Sequence, residues 1–226
     1  MAATRTQFEE QLEALRLRLL EMGSVSDEMV AMAMQALIEQ NVPLAEQVIA
    51  RDDVVDALDI AIETDCMRMI ALQQPLARDL RLIGTALKVI TDLERISDHA
   101  VDIAKVARKL AHDTFLKPLV DLPRMSVSVR QMLRDALQSF ISHDLSLVHQ
   151  VVQADDEIDV LFHHIRDDLH TAMKRDPGVV VQASYLLFVA HYLERIADHT
   201  VNIAERVHYV ETGDLVQLAK SHKATS

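Results

Sequence analysis

The 226-residue sequence predicts an all-α fold of two tandem antiparallel three-helix bundles, and three observations carry that expectation. Only four glycines and five prolines stand among many Ala, Leu, Met, Gln and Arg, so helix formers abound and turn formers are scarce. Turn signals recur at intervals that leave six segments of helical length. The second half also repeats the first: "LERISDHAVDIA", residues 93–104, returns as "LERIADHTVNIA", residues 193–204. Residues 29–56 align without a gap on 132–159 with 10 of 28 positions identical, and 91–107 on 191–207 with 9 of 17. A duplicated three-helix unit, its helices reversed at short loops, gives one bundle over residues 1–115 and another over 116–226.

The first helix, near residues 6–40, ends at "QNVP"; Gly23 inside it costs about 1 kcal/mol against alanine, and a kink is expected there. Pro43 opens the second helix, 44–72, and "QQP" closes it. The third, 77–112, follows Pro75 and contains Gly84. Pro118 and Pro123 bracket the start of the fourth, 122–142, and "SHDLS" ends it. The fifth, 145–174, stops at "RDPG", and the sixth, 179–211, stops at "ETGD". Residues 179–190 are the most apolar stretch, yet Gln182 and Ser184 interrupt it and it is too short to cross a bilayer, so it reads as a buried helix.

Charge narrows the function. A formal net charge of −12, with no basic stripe, argues against nucleic acid and for cations or proteins as partners. One cysteine, Cys66, cannot form an internal disulfide, and the first 20 residues carry Glu9, Glu10 and Glu13 where a secretory leader would be basic and then apolar. The expectation is a cytoplasmic protein with at most peripheral membrane contact. No nucleophile, base and orienting acid are grouped, and no glycine-rich phosphate loop is present, so no enzymatic activity is expected. Two-iron oxidative chemistry needs a Glu-x-x-His on each of two helices, and the chain offers only Glu205 with His208.

The repeated phrase is amphipathic in an unusual way. Leu93, Ile96, Ala100, Ile103 and Ala104 share a core-facing arc, while Glu94, Asp98 and Asp102 form a ridge beside it. The second copy places Glu194, Asp198 and Asn202 there. On the second helix Asp52, Asp56, Asp59 and Glu63 crowd one arc; the fifth keeps Asp155 and Asp159 but has Phe162 and Arg166 at the other two places. Like charges four residues apart cost a few tenths of a kcal/mol per pair, roughly, with no return from the core. Two explanations stand side by side. The ridges are solvated faces neutralised by Arg95, Lys105 and Arg195, or they hold a multivalent cation, with Asp52 and Asp56 facing Glu94 and Asp98, and Asp155 and Asp159 facing Glu194 and Asp198. His99 and His199 point away from the acids and read as packing or surface residues; His163, four after Asp159, reads as a surface histidine first and as a member of the second set second.

Taken together, the paired "LERI[SA]DH" with "V[DN]IA", the "QQPLARDLRLI" leading into the third helix and the "D[DE][VI]D" of the second and fifth resemble the PhoU family, from about Phe8 to Glu211. The resemblance implies a cytoplasmic, commonly dimeric adaptor that restrains phosphate uptake and phosphate-starvation signalling. Its partners would be the ATPase of the phosphate ABC transporter and the phosphate sensor histidine kinase. It also implies metal ions (Fe, Zn, Mn or Mg) on paired "[ED]xxxD" motifs, carried here by Asp52, Asp56, Glu94 and Asp98 and by Asp155, Asp159, Glu194 and Asp198. Asn202 for Asp102 and Arg166 for Glu63 predict a weaker second site. A metal-independent helical scaffold is the competing reading.

Overall fold

The computed structural model describes residues 2–116 and 119–218, and among them finds six α-helices, one 3-10 turn and no strand. The helices are α1 (Ala2–Glu39), α2 (Val42–Gln73), α3 (Ala77–Lys109), α4 (Asp121–Ser142), α5 (Leu145–Arg175) and α6 (Val180–Thr212), with the 3-10 turn Pro177–Val179 before the last. No helix is long and apolar enough to cross a membrane among the described residues.

Local chemistry explains the boundaries. Asn41 caps α2, its side chain accepting from the Leu44 amide at 3.0 Å, and Pro43 occupies the first turn where no amide hydrogen is missed. Gln74 leaves α2 in a left-handed conformation, φ 48°, and Pro75 prevents continuation. Asp79 in the first turn of α3 and Arg108 and Lys109 in the last complement its dipole. Asp144 caps α5 through the Ser146 amide at 2.8 Å. Gly213 ends α6 at φ 85°, its amide donating to the Tyr209 carbonyl at 2.9 Å, a conformation most other residues resist.

Within each half the three helices pack against one another, and the halves join where α3 lies along α6 and α1 touches α4. Leu93, Ile96, Ala100, Ile103 and Ala104 are buried as their arc requires, and their counterparts Leu193, Ile196, Ile203 and Ala204 are buried too; the core is one cluster that runs through both halves. Cys66 lies within it, and burial pushes its thiol up to about 12, well outside the reactive range.

The two helix glycines have different reasons. α1 is continuous through Gly23, and a Cβ there would stand 2.4 Å from Leu137 Cδ1 of α4, so the missing side chain is what allows α1 and α4 to approach. Gly84 is exposed and has nothing within 4 Å of where a Cβ would be. Gly84→Ala is therefore expected to stabilise the chain by about 0.5–1 kcal/mol, read as a higher thermal midpoint with unchanged helicity.

Polar contacts fix the junction. Arg130 on α4 grips Asp27 on α1 in a fork, Nε and Nη2 to the two carboxylate oxygens at 2.7 and 2.8 Å. Arg78, at the start of α3, donates to both oxygens of Glu211 near the end of α6, while His143 Nδ1 lies 2.7 Å from the same carboxylate. Gln182 is buried in α6 because it holds the connecting segment: its side chain accepts from the Leu116 amide at 2.6 Å and donates to the Thr114 carbonyl at 3.0 Å.

Candidate functional site

Helices α2 and α3 run antiparallel, so four residues forward on one is matched by four residues back on the other. Asp52 then lies across from Asp98, and Glu94 across from Asp59 and Asp56. The electrostatics follow this register. Burial foremost, then Asp98, raises the Glu94 carboxyl above its ordinary range; Arg95 pulls it down, and Asp59 and Asp56 across the groove push it up. Asp52 is raised by burial, then by Asp56 and by Asp98 of the facing helix, against Lys105. Asp59 is raised by burial, Glu63 and Asp56. Between the helices lies an open hollow of about 350 Å3 lined by Asp56, Asp59, Ile60, Thr91 and Glu94.

In the second half Asp159 of α5 faces both Glu194 and Asp198 of α6, and Asp155 shares a hollow with Asp198. Glu194 is raised to about 7, first by burial, then by Asp198, with Arg195 opposing and Asp159 adding. Its Oε2 is shielded from solvent and accepts no hydrogen bond, though His191 Nδ1 stands 3.2 Å away. Asp198 is raised by burial, against Arg195, and further by Asp159. Asp155 is buried, 8% exposed, and with Asp198, Asn202 and Glu205 it borders a second hollow of about 250 Å3. His163 belongs to this surroundings: its charge lowers the Glu194 carboxyl, while its Nδ1 lies 2.7 Å from the Asp159 carbonyl.

Asp102 and Asn202, the third member of each sequence ridge, also reach the neighbouring half, while Asn202 keeps its place beside Asp155 and Asp198 at the second hollow. Each four-residue step rotates about 40° around a helix, so two steps from Glu94 carry Asp102 toward the α3–α6 seam. Asn202 donates to Asp92 Oδ1 across that seam at 3.2 Å, and Asp102 takes Lys105 Nζ at 2.9 Å while raising the Tyr192 hydroxyl of α6, for which burial is the larger cause. His199 Nδ1 also meets Asp92 Oδ1, at 2.9 Å. Its counterpart His99 stacks on Tyr192, ring centroids 5.7 Å apart, and burial with the neighbouring His199 lowers it to about 4. His99 is thus a packing group, while His199 is a polar link across the seam. The seam was hidden in the sequence because positions 92 and 192 hold different residues, Asp and Tyr, and only the repeat alignment connects them.

The ridges fit hard cations by donor chemistry, since carboxylate oxygens supply charge and ligands together. The basic neighbours fit the solvated reading: Arg95 Nη1 reaches Asp98 at 2.8 Å and Arg195 Nη1 reaches Asp198 at 2.6 Å, each within one turn of its own helix. Among the described residues, three ligand-type side chains with donor atoms within 4.8 Å of one another occur in one place, Asp121, His164 and Asp168, outside both ridges.

A helical protein built from two copies of one three-helix unit, each with carboxylates of two helices set face to face, defines the class. The PhoU domain family matches this chain twice, at residues 19–107 and 122–207. The chain belongs to the PhoU family. The phosphate-specific transport system accessory protein PhoU homolog of Aquifex aeolicus is 42% identical over 92% of this chain and 94% of its own length. The homolog of the same name from Clostridium acetobutylicum is 39% identical over 95% and 99%. The crystal structure of PhoU from Pseudomonas aeruginosa superposes with a TM-score of 0.88 at 35% identity, over 92% of this chain and all (100%) of that one. The phosphate transport system regulatory protein PhoU from Streptococcus pneumoniae gives a TM-score of 0.87 at 31% identity. The expected family, the six helices and the duplicated bundle are borne out.

Proposed function

We propose that this chain is a cytoplasmic, non-enzymatic accessory protein of phosphate transport that restrains uptake and phosphate-starvation signalling. It acts as a homodimeric adaptor between the ATPase of the phosphate ABC transporter and the sensor histidine kinase. The names borne by relatives that align over nearly their whole length support the phosphate-transport reading. The observation that carries the site is the elevation of four carboxyls by burial first and then by acids of the facing helix: Glu94 by Asp59 and Asp56, Asp52 by Asp98, and Glu194 and Asp198 by Asp159. A surface that half-buries several acids beside others of like charge is poised to take positive charge, from a metal ion such as Fe, Zn, Mn or Mg or from a basic face of a partner. If metal binds, Asp52, Asp56, Glu94 and Asp98 would hold it in the first half, and Asp155, Asp159, Glu194 and Asp198 in the second. The cation would supply charge that cancels the repulsion.

The metal-independent scaffold has its own supporting observation in the Arg95–Asp98 and Arg195–Asp198 pairs. Calorimetry separates the two. Glu94→Ala with Asp98→Ala is expected to keep the parent circular dichroism and to weaken manganese binding at least about 10-fold, the loss typical of disturbing a metal's surroundings. The same variant should lose affinity for the kinase or the transporter ATPase. Unchanged heats for manganese and unchanged affinity for both proteins would remove the ridge from the function.

A further inference from the structure

The α4–α5 face carries a second kind of donor cluster. Asp121 stands in the first turn of α4, directly after the segment that joins the two halves. His164 and Asp168 lie four residues apart on α5, hence one above the other on one face of that helix. One ligand-type atom from each of the three lies within 4.8 Å of the others. Asp121 is half-buried and the other two are exposed. Ligands 2.0–2.2 Å from one ion stand about 3–4 Å apart, a closure of roughly 1 Å that rotamer adjustment supplies. Beside the cluster runs an open hollow of about 700 Å3 that Asp121 and His164 border together with Asp156, Glu157 and Arg124.

From this convergence of one imidazole and two carboxylates on an open hollow, we infer that Asp121, His164 and Asp168 form a binding site for a zinc-class divalent cation. The donor set selects the ion. Imidazole favours zinc and its borderline neighbours over Mg or Ca, whereas the ridges offer carboxylate oxygens alone on α2 and α3. Three protein ligands leave at least one coordination position facing the hollow, where water or an anionic group completes the sphere. The bound ion ties the start of α4 to the middle of α5, close to where the chain passes from one half to the other. The site shares no residue with the ridges and does not rest on the function proposed for them.

The test uses the full chain without an affinity tag, stripped with chelator and titrated with zinc chloride against a chromophoric competitor. Asp56→Asn, Glu94→Gln, Asp159→Asn and Glu194→Gln combined in one protein silence both ridges and isolate the cluster. That protein is expected to bind one equivalent of zinc and to show a higher thermal midpoint with it. Adding His164→Ala should weaken zinc at least about 10-fold and abolish the thermal shift, since losing even an outer-shell partner costs that much. Asp168→Asn, nearly the same shape, should do likewise and keeps the test decisive if the alanine variant unfolds. Zinc binding that survives both substitutions, or that disappears with the ridges alone, overturns the site.

Discussion

Glu194→Gln is expected to make the chain more stable at pH 8 by about 2 kcal/mol and to leave it nearly unchanged at about pH 4. The folded-state carboxyl sits at about 7, raised from 4.5 by burial first and Asp198 second. Between those values the folded chain keeps a proton that the unfolded chain has released. Stability is therefore fullest below 4.5, falls as pH rises toward 7, and stays low above it. A shift of this size is worth on the order of 3 kcal/mol, and the side chain's 22% exposure reduces it through solvent screening. Glutamine keeps the shape and carries no charge at any pH. Urea unfolding of both proteins at the two pH values measures the difference, and an equal gain at both would show that the charge of Glu194 is not what the fold resists. A cation taken up by the second ridge should flatten the parent's pH dependence and leave the variant's untouched.

Leu93→Ala is expected to destabilise the chain by about 2–5 kcal/mol, the usual cost of emptying a fully buried leucine site. The side chain is 0% exposed and precedes Glu94 in the repeated phrase, so the same residue that anchors α3 in the core also sets where the ridge stands. For a chain of this length each kcal/mol moves the thermal midpoint by roughly 2–4 °C, and a drop of about 4–20 °C is expected. Differential scanning calorimetry reads it directly. A midpoint within about 2 °C of the parent would mean that the site collapses around the smaller side chain without leaving a void.

Much of the fold was legible because its punctuation is chemical. Asn41, Pro43, Pro75, Asp144 and Gly213 each end or begin a helix by a local rule that needs no distant partner, and the six predicted segments agree with the observed helices to within a few residues. The acid clusters were legible as a duplicated pair of "[ED]xxxD" motifs on adjacent helices. What the sequence did not disclose lies between elements. An apolar arc marks a buried face and does not say which helix covers it, so the α3–α6 seam and its Asp92, Tyr192, His99 and His199 went unseen. Gly23 drew attention as a breaker of α1, while its reason is Leu137, more than a hundred residues away. Asp121 joins His164 and Asp168 across α4 and α5 in the same way; the four-residue spacing of the latter two was the local hint available.

The seam between α3 and α6 has a consequence for how such a duplicated chain diverges. Two identical copies would meet symmetrically, each able to take the other's place. Here one histidine bonds to Asp92 while its twin lies flat on Tyr192, so either triplet now fits only the opposite one. Mutual dependence of that sort frees each outer flank to drift separately, because the inner joint no longer tolerates exchange of its sides.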